Sequence, residues 1–503
     1  MDFLVLSPPV CPPSEPPSGA FILASALCGH GYDTGFLDLS LEFYHRILTQ
    51  HSTTPGVLRS VDYLSGTPQY DPMTHRSAAG TLHRAFKGYS KSHPGWTLTA
   101  MDLTPPAPVH QPSGLLRLLL TDDPFLPLWN ATLPSVLSRY RPRRILISVA
   151  YLSQLTAAIS LARFLERHGI EYIAGGSLLR SLHATGKGFN LLERTFHNID
   201  VSNGANLLPG IEAGHFLDKL AYPQILSQQS YLSGRPILPL TLSIGCYWSG
   251  CLFCPDKDMK YIQMKTTGLE QFMASIPQHV LQQRPVIHFL DSAMPKNRLR
   301  AVMPIAKHFG LHFYGFARPE KRFADHSFLR ELARSGCVML QLGVEGGNDA
   351  LLSRFNKGIH PDDAKNVLTG AAEAGIRTYV YLLFGLPGET VSEREDTRRL
   401  ISETIDAVDF LNLSIFNLPR HCDLIHRAKE FNIILNKYDA LADAIELYRP
   451  FKTTNSSESP RRAAREFITN RFTSDDRIRQ AVLRTPKWFR AAHLALMNIS
   501  GRN

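Results

Sequence analysis

Three thiols lie within nine residues of the sequence: Cys246, Cys251 and Cys254, in the stretch Leu-Ser-Ile-Gly-Cys-Tyr-Trp-Ser-Gly-Cys-Leu-Phe-Cys-Pro-Asp from Leu242 to Asp256. An apolar run, Leu240 to Ile244, precedes them and reads as a buried strand, which puts the thiols on a loop at its C-terminal end. Closely spaced cysteines in a chain without secretory features point to metal or redox chemistry rather than disulfides. A structural zinc site takes four ligands, usually in two pairs, and no second pair stands nearby. A [4Fe–4S] cluster normally takes four thiolates, so three leave one iron open to an outside ligand. A zinc loop and accidental clustering remain the alternatives. The other four cysteines (Cys11, Cys28, Cys337, Cys422) are isolated.

The loop, with Phe253 just before its last cysteine, resembles the cluster loop of the radical S-adenosylmethionine (radical SAM) enzymes. Its spacing is C-x4-C-x2-C, one residue longer than the usual C-x3-C-x2-C. The Gly-Cys-Tyr-Trp opening is similar to a variant among members with a cobalamin-binding domain. Further segments extend the resemblance in order: Gly343-Val344-Glu345-Gly346-Gly347 with Lys357-Gly358, Phe384-Gly385-Leu386-Pro387-Gly388-Glu389-Thr390, and Phe416-Asn417-Leu418-Pro419.

The elements that must position these residues are α/β. Strands are expected at Leu240–Ile244, Val286–Leu290, His312–Phe316, Val338–Val344, Thr378–Phe384 and Asp409–Ile415, with helices between them such as Leu269–Gln282 and Pro361–Ala374. Six units suit a partial (β/α)6 barrel, the shape the resemblance implies, with chemistry at the strands' C-terminal ends. Upstream, strands at Phe3–Pro8, Tyr32–Leu39, Arg144–Val149, Ile170–Ala174 and Ile199–Asn203 alternate with helices at Gly19–Cys28 and Gln154–His168, a Rossmann-like pattern. Ligands of such sheets bind beyond the carboxyl ends of the strands, here near Ser7–Pro9, Ser148–Tyr151 and Gly175–Ser177. The region resembles a cobalamin-binding domain at the level of pattern. It carries no Asp-x-His-x-x-Gly motif, and Asn203-Gly204-Ala205-Asn206 stands where Gly-Glu-Gly-Glu is common.

The expected organisation is a Rossmann-like unit over 1–215, interrupted by an irregular insertion over about 50–135 with helical pieces at Ser77–Tyr89 and Ser113–Leu120. A barrel follows over 236–450, then a helical region over 451–503 with helices at Pro460–Arg471, Asp475–Leu483 and Trp488–Met497. Trp488 and His493 there are expected to pack in a helical cap, with contact to a substrate as the other reading. The formal charge of +10 is spread along the chain and reads as a solvated basic surface rather than a nucleic-acid site. The N-terminus lacks a basic signal-peptide region and no apolar run is long enough to span a bilayer, so a cytoplasmic protein is expected.

The resemblance implies cofactors and roles. Cys246, Cys251 and Cys254 would hold the cluster, and SAM would bind its fourth iron and yield a 5′-deoxyadenosyl radical. Phe253, Asp291, Arg318, Glu345 and Gly385 would contact SAM, with Tyr247 and Trp248 keeping the cluster dry, and Ser148, Gly175 and Gly176 would face cobalamin. The implied reaction is C-methylation of an unactivated carbon in a small molecule or peptide, with a flavodoxin or ferredoxin as reductant. A cobalamin-independent ring closure or rearrangement, or a non-catalytic iron–sulfur redox or sensor protein, are the other readings.

Overall fold

The computed structural model describes residues 1–50, 56–66, 71–186, 189–202, 204–208, 215–435, 445–454 and 459–485. Two six-stranded parallel sheets carry it. The first comprises β1 (Phe3–Ser7), β2 (Thr34–Asp38), β3 (Arg144–Ser148), β4 (Tyr172–Gly175), β5 (Ile199–Asp200) and β6 (Gln224–Ile225). Their order is β5-β4-β3-β1-β2-β6, all parallel. The order reverses between β1 and β3, a switch point that opens a crevice beyond the strand ends. β1 and β2 are buried along their whole length, which is why Phe3–Leu6 reads as a continuous apolar run rather than an alternating one. β6 lies beyond residue 215, so the sheet draws on more of the chain than the expected boundary allowed.

The second sheet comprises β7 (Ile237–Leu240), β8 (Val286–Phe289), β9 (His312–Ala317), β10 (Cys337–Glu345), β11 (Arg377–Phe384) and β12 (Phe410–Ile415), paired in sequence order and parallel throughout. β7 and β12 are its two edges, so the barrel is partial, as expected. Alternation sorts the side chains. Ile237, Val286, Tyr314, Met339, Tyr379 and Phe410 fill the interior, while Ile287, Phe289, Leu340 and Val380 face the covering helices. The edge at β12 is shielded by the C-terminal helices: Arg484 donates to the carbonyls of Val408 and Asp409, and the Thr485 hydroxyl accepts from the Leu411 N–H.

Helix Ser18–Gly29 joins the two halves. It is apolar on both faces because it is covered on both: the Phe21 ring meets Phe36 of the first sheet at 6.0 Å and Phe272 beside the barrel at 6.2 Å. One continuous core therefore runs from Phe3 and Val5 through this helix to Leu238 and Leu240.

Three expectations are corrected. The first barrel strand is Ile237–Leu240, not Leu240–Ile244. Ser243–Ile244 instead pairs antiparallel with Ile262–Gln263, because the chain turns out of the barrel at Thr241 to form the cysteine loop. The helix expected over Leu269–Gln282 is two, Thr266–Ser275 and Gln278–Leu281, since Pro277 has no N–H to continue the first. The insertion is not irregular. Helices Val57–Ser65, Pro72–Ser92, Pro112–Thr121 and Leu126–Tyr140 contain the two expected helical pieces, and they pack with Trp96, Phe125 and Trp129 on one face of the first sheet. Trp488, His493, their helix, and Asn203 lie outside the described residues.

Candidate active site

The cysteine loop sits over the C-terminal end of the barrel and is tied down at several points. Asp291, just beyond β8, accepts from the Leu242 N–H and the Ser243 hydroxyl, so both of its oxygens brace the turn that launches the loop. Burial nonetheless pushes its carboxyl up, with the Ser243 and Leu242 bonds pulling the other way. Expected as a SAM contact, Asp291 is committed here to the loop. Arg298 fastens the same turn through the carbonyls of Leu242 and Met264.

Trp248 lies in a slot that only glycine leaves open: a Cβ on Gly358 would overlap its ring. The Trp248 indole N–H donates to the Asn356 carbonyl at 2.9 Å, and the Asn356 amide donates to the Gly250 carbonyl at 2.9 Å. Phe253 packs toward Phe355, ring centres 6.4 Å apart, in an apolar cluster with Leu252 and Phe416.

Arg318, at the end of β9, is buried against this loop. Its guanidinium stacks over Trp248 at 4.6 Å, donates to the Lys357 carbonyl, and reaches 3.9 Å from the Cys251 Sγ. Glu345 ends β10 in a left-handed conformation (φ 65°) at a register shift, and Lys357 Nζ donates to its carboxylate at 3.1 Å. The structure thus gathers Cys251, Arg318, Glu345 and Phe253 at one end of the barrel. Gly385 follows the C-terminal end of β11 at the same end of the barrel. Its positive φ of 81° sets it against helix Pro460–Asn470, where a Cβ would meet the Pro460 carbonyl at 3.2 Å, and its N–H donates to Glu389.

All three loop cysteines are free thiols. Burial pushes Cys254 up to about 12, with the Asp256 charge adding to the effect and the Asp256 N–H pulling the other way. Burial also raises Cys251, against which Lys357 and Arg318 pull down. Among the described residues no group of three or more His, Cys, Asp or Glu side chains is already gathered as a metal shell. The donor set fits a cluster nonetheless: three reduced thiols with no disulfide partner, half-buried or buried, beside two cations that offset the charge of thiolates.

A cavity of about 350 Å³ lies between the carboxyl ends of the first sheet and the mouth of the barrel. Ser148, Gly175 and Gly176 line one side; Thr241, Ile244 and Gly245, next to Cys246, line the other. Among the described residues its lining contains no histidine. The glycines have a reason of their own: a Cβ on Gly176 (φ 114°) would stand 2.5 Å from the Val149 carbonyl, and one on Gly175 2.9 Å from that of Asp200. They let two turns approach each other, whatever the cavity holds.

Sequence reasoning missed Asn356 and Arg298 and saw Lys357 only as part of a motif. Asn356 and Arg298 act through backbone carbonyls distant in sequence, which leaves no pattern to read. Lys357, twelve residues after Glu345, carried the one available signal.

Residues 242–401 match the family model described as the Radical SAM superfamily. With the three-cysteine loop seated at the mouth of a parallel partial barrel, this defines the class: the barrel of the chain is a radical SAM domain. An uncharacterized protein of Methanocaldococcus jannaschii is 22% identical over 283 residues, 52% of this chain and 81% of the relative. A tryptophan 2-C-methyltransferase of Streptomyces laurentii is 25% identical over 193 residues, 35% of this chain and 32% of the relative, so the match spans about a third of that protein. Among solved structures, the radical S-adenosylmethionine methyltransferase TsrM of Kitasatospora setae, with cobalamin and a [4Fe–4S] cluster bound, aligns over 93% of this chain and 85% of its own at 16% identity and a TM-score of 0.48. The class assignment rests on the family model and the site. No described helix is long and apolar enough to cross a membrane.

Proposed function

We propose that the chain is a cobalamin-dependent radical SAM enzyme that methylates an unactivated carbon of a small molecule or peptide. The observation that carries this reading is the cavity between the two sheets, which opens beside the first cluster cysteine and lies at the ligand-binding edge of a Rossmann-like sheet. The similarity of about a third of the chain to a tryptophan 2-C-methyltransferase supports the reaction type. Cys246, Cys251 and Cys254 would hold the cluster; Glu345 and Arg318 would meet the amino and carboxylate groups of SAM, with Phe253 closing the site to water. Asp291 and Gly385 act at one remove, through the loop turn and the C-terminal helix. Ser148, Gly175 and Gly176 would border cobalamin. Together these groups supply a carbon-centred radical and a methyl donor when bound. The protein's share is to hold them at neighbouring edges of two sheets and keep them dry. A flavodoxin or ferredoxin would deliver the electron.

The test is anaerobic purification and reconstitution with hydroxocobalamin. The protein is expected to carry about four irons and four sulfides per chain, to release 5′-deoxyadenosine from SAM, and to bind Co(II) cobalamin with no protein nitrogen on the cobalt, because no histidine among the described residues lines the cavity. Replacing all three loop cysteines with alanine should abolish the brown colour and SAM cleavage while leaving the fold. Deoxyadenosine without cobalamin binding would leave a cobalamin-independent enzyme; a cluster without deoxyadenosine, a redox or sensor protein.

A further inference from the structure

Two cations stand against the thiol loop, and each is tied to a carboxylate. Lys357 is paired with Glu345, and Arg318 with Glu320, whose Oε2 lies 3.7 Å from Arg318 Nε. Glu320 belongs to none of the sequence segments that mark the class. A three-residue turn about Pro319 brings it to Arg318: the Glu320 N–H donates to the Arg318 carbonyl at 2.8 Å. The Glu320 carbonyl accepts from the N–H of Phe323, also at 2.8 Å, and the Phe323 ring is fully buried. The backbone on both sides of Glu320 is therefore fixed, and its side chain is only 16% exposed.

Arg318 has little freedom left. Its guanidinium lies on Trp248, Nη2 donates to the Lys357 carbonyl, and Nη1 is 3.9 Å from Cys251 Sγ. Among the described residues Nε has no hydrogen-bond partner, so the Glu320 contact is one of charge. The same carboxylate faces Tyr247, next to Cys246: burial first and the Glu320 charge second hold that phenol above its ordinary range. One acid thus stands behind the neighbours of two of the three loop cysteines.

Net charge and hydrogen bonds around the sulfurs set the potential of an iron–sulfur centre, and a cation beside a thiolate makes it easier to reduce. A centre that cleaves SAM reductively has to be strongly reducing. Lys357 and Arg318 steady the loop but pull the potential the other way. A carboxylate on each cation cancels that pull without releasing the contact.

We infer that Glu320 is a positioning residue for the cluster: it keeps the Arg318 guanidinium on Cys251 while offsetting its charge, and so holds the cluster's reduction potential low. This rests on the cluster reading proposed above.

The test is an EPR-monitored redox titration of the anaerobically reconstituted full chain. Glu320→Gln keeps the shape of the side chain and removes its charge. At an effective dielectric of about 20, a unit charge one guanidinium's width away shifts the ratio of reduced to oxidised cluster about ten-fold. The midpoint should therefore rise by about 59 mV. Glu320→Asp keeps the charge and should stay close to the parent. Should the glutamine variant take up less iron, Glu320→Ser, neutral and smaller, should show the same rise in the clusters that form. A midpoint in the neutral variants equal to or below the parent's, or a rise shared by the aspartate variant, would overturn the inference. So would a fall in melting temperature or iron content with the midpoint unmoved, the mark of a purely structural brace. Iron content and 5′-deoxyadenosine release of the parent report separately on the class of enzyme.

Discussion

Glu345 is held where few non-glycine residues go. Its φ of 65° turns the carboxylate off the end of β10 and onto Lys357, beside the thiol loop. Strain of this kind persists only where surrounding structure enforces it, and here the enforcing contacts belong to the candidate site. Glu345→Ala should therefore weaken SAM about 10- to 150-fold, the worth of one charge-assisted hydrogen bond of roughly 1.5–3 kcal/mol, while iron content stays as in the parent. Equilibrium binding of SAM to the reconstituted variant measures this. Unchanged affinity with a lowered melting temperature would make the residue a brace for Lys357.

At the scale of elements, the turns after β3 and β4 are locked together. Gly176 opens helix Ser177–Thr185 with φ 114°, and its Cα faces the Val149 carbonyl. Gly176→Ala has neither the backbone freedom nor the space, and should cost on the order of 1–3 kcal/mol or more with or without cobalamin. Gly169, also at positive φ (66°) but with nothing within 4 Å of its Cβ direction, is the control: Gly169→Ala should cost about 1 kcal/mol or less. Denaturant unfolding of the two variants compares them. A similar loss for both would mean that the turn at Val149 yields to a Cβ at little cost.

The whole molecule's response to pH carries the mark of one buried acid. Asp38, at the end of β2, accepts from the Ser40 and Leu41 N–H groups and from the Tyr231 hydroxyl, which brings in the segment leading to the barrel. Burial raises its carboxyl from 3.8 to about 7 despite those bonds. The folded state thus holds a proton that the unfolded chain releases. Asp38's contribution is complete below about pH 4 and is lost as pH rises toward about 7, with a slope of up to about 1.4 kcal/mol per pH unit. Asp38→Asn, neutral throughout, should flatten that part of the stability profile measured by denaturant titration at pH 4–7. A profile identical to the parent's would show that Asp38 stays ionised in the fold.

The thiol spacing, the order of six apolar strands and the Gly-Val-Glu-Gly-Gly segment are local, so the sequence alone determined the radical SAM class of the barrel, its partial closure and the strand end that carries the thiol loop. Period and punctuation also located most helices, but not the packing of 50–135, where Gly80 and Pro134 inside helices blur the signal while buried tryptophans and Phe125 supply the stability that propensity lacks. What only the tertiary structure decided are relations between distant residues: that Asp291 serves the loop turn, that Gly385 faces the C-terminal helix, that Arg318 lies on Trp248, and that Glu15 reaches His288 across 273 positions. Each depends on which inward or outward face a strand turns and on how two sheets dock through one helix. Those are properties of packing, which acts between elements and leaves no spacing within any one of them.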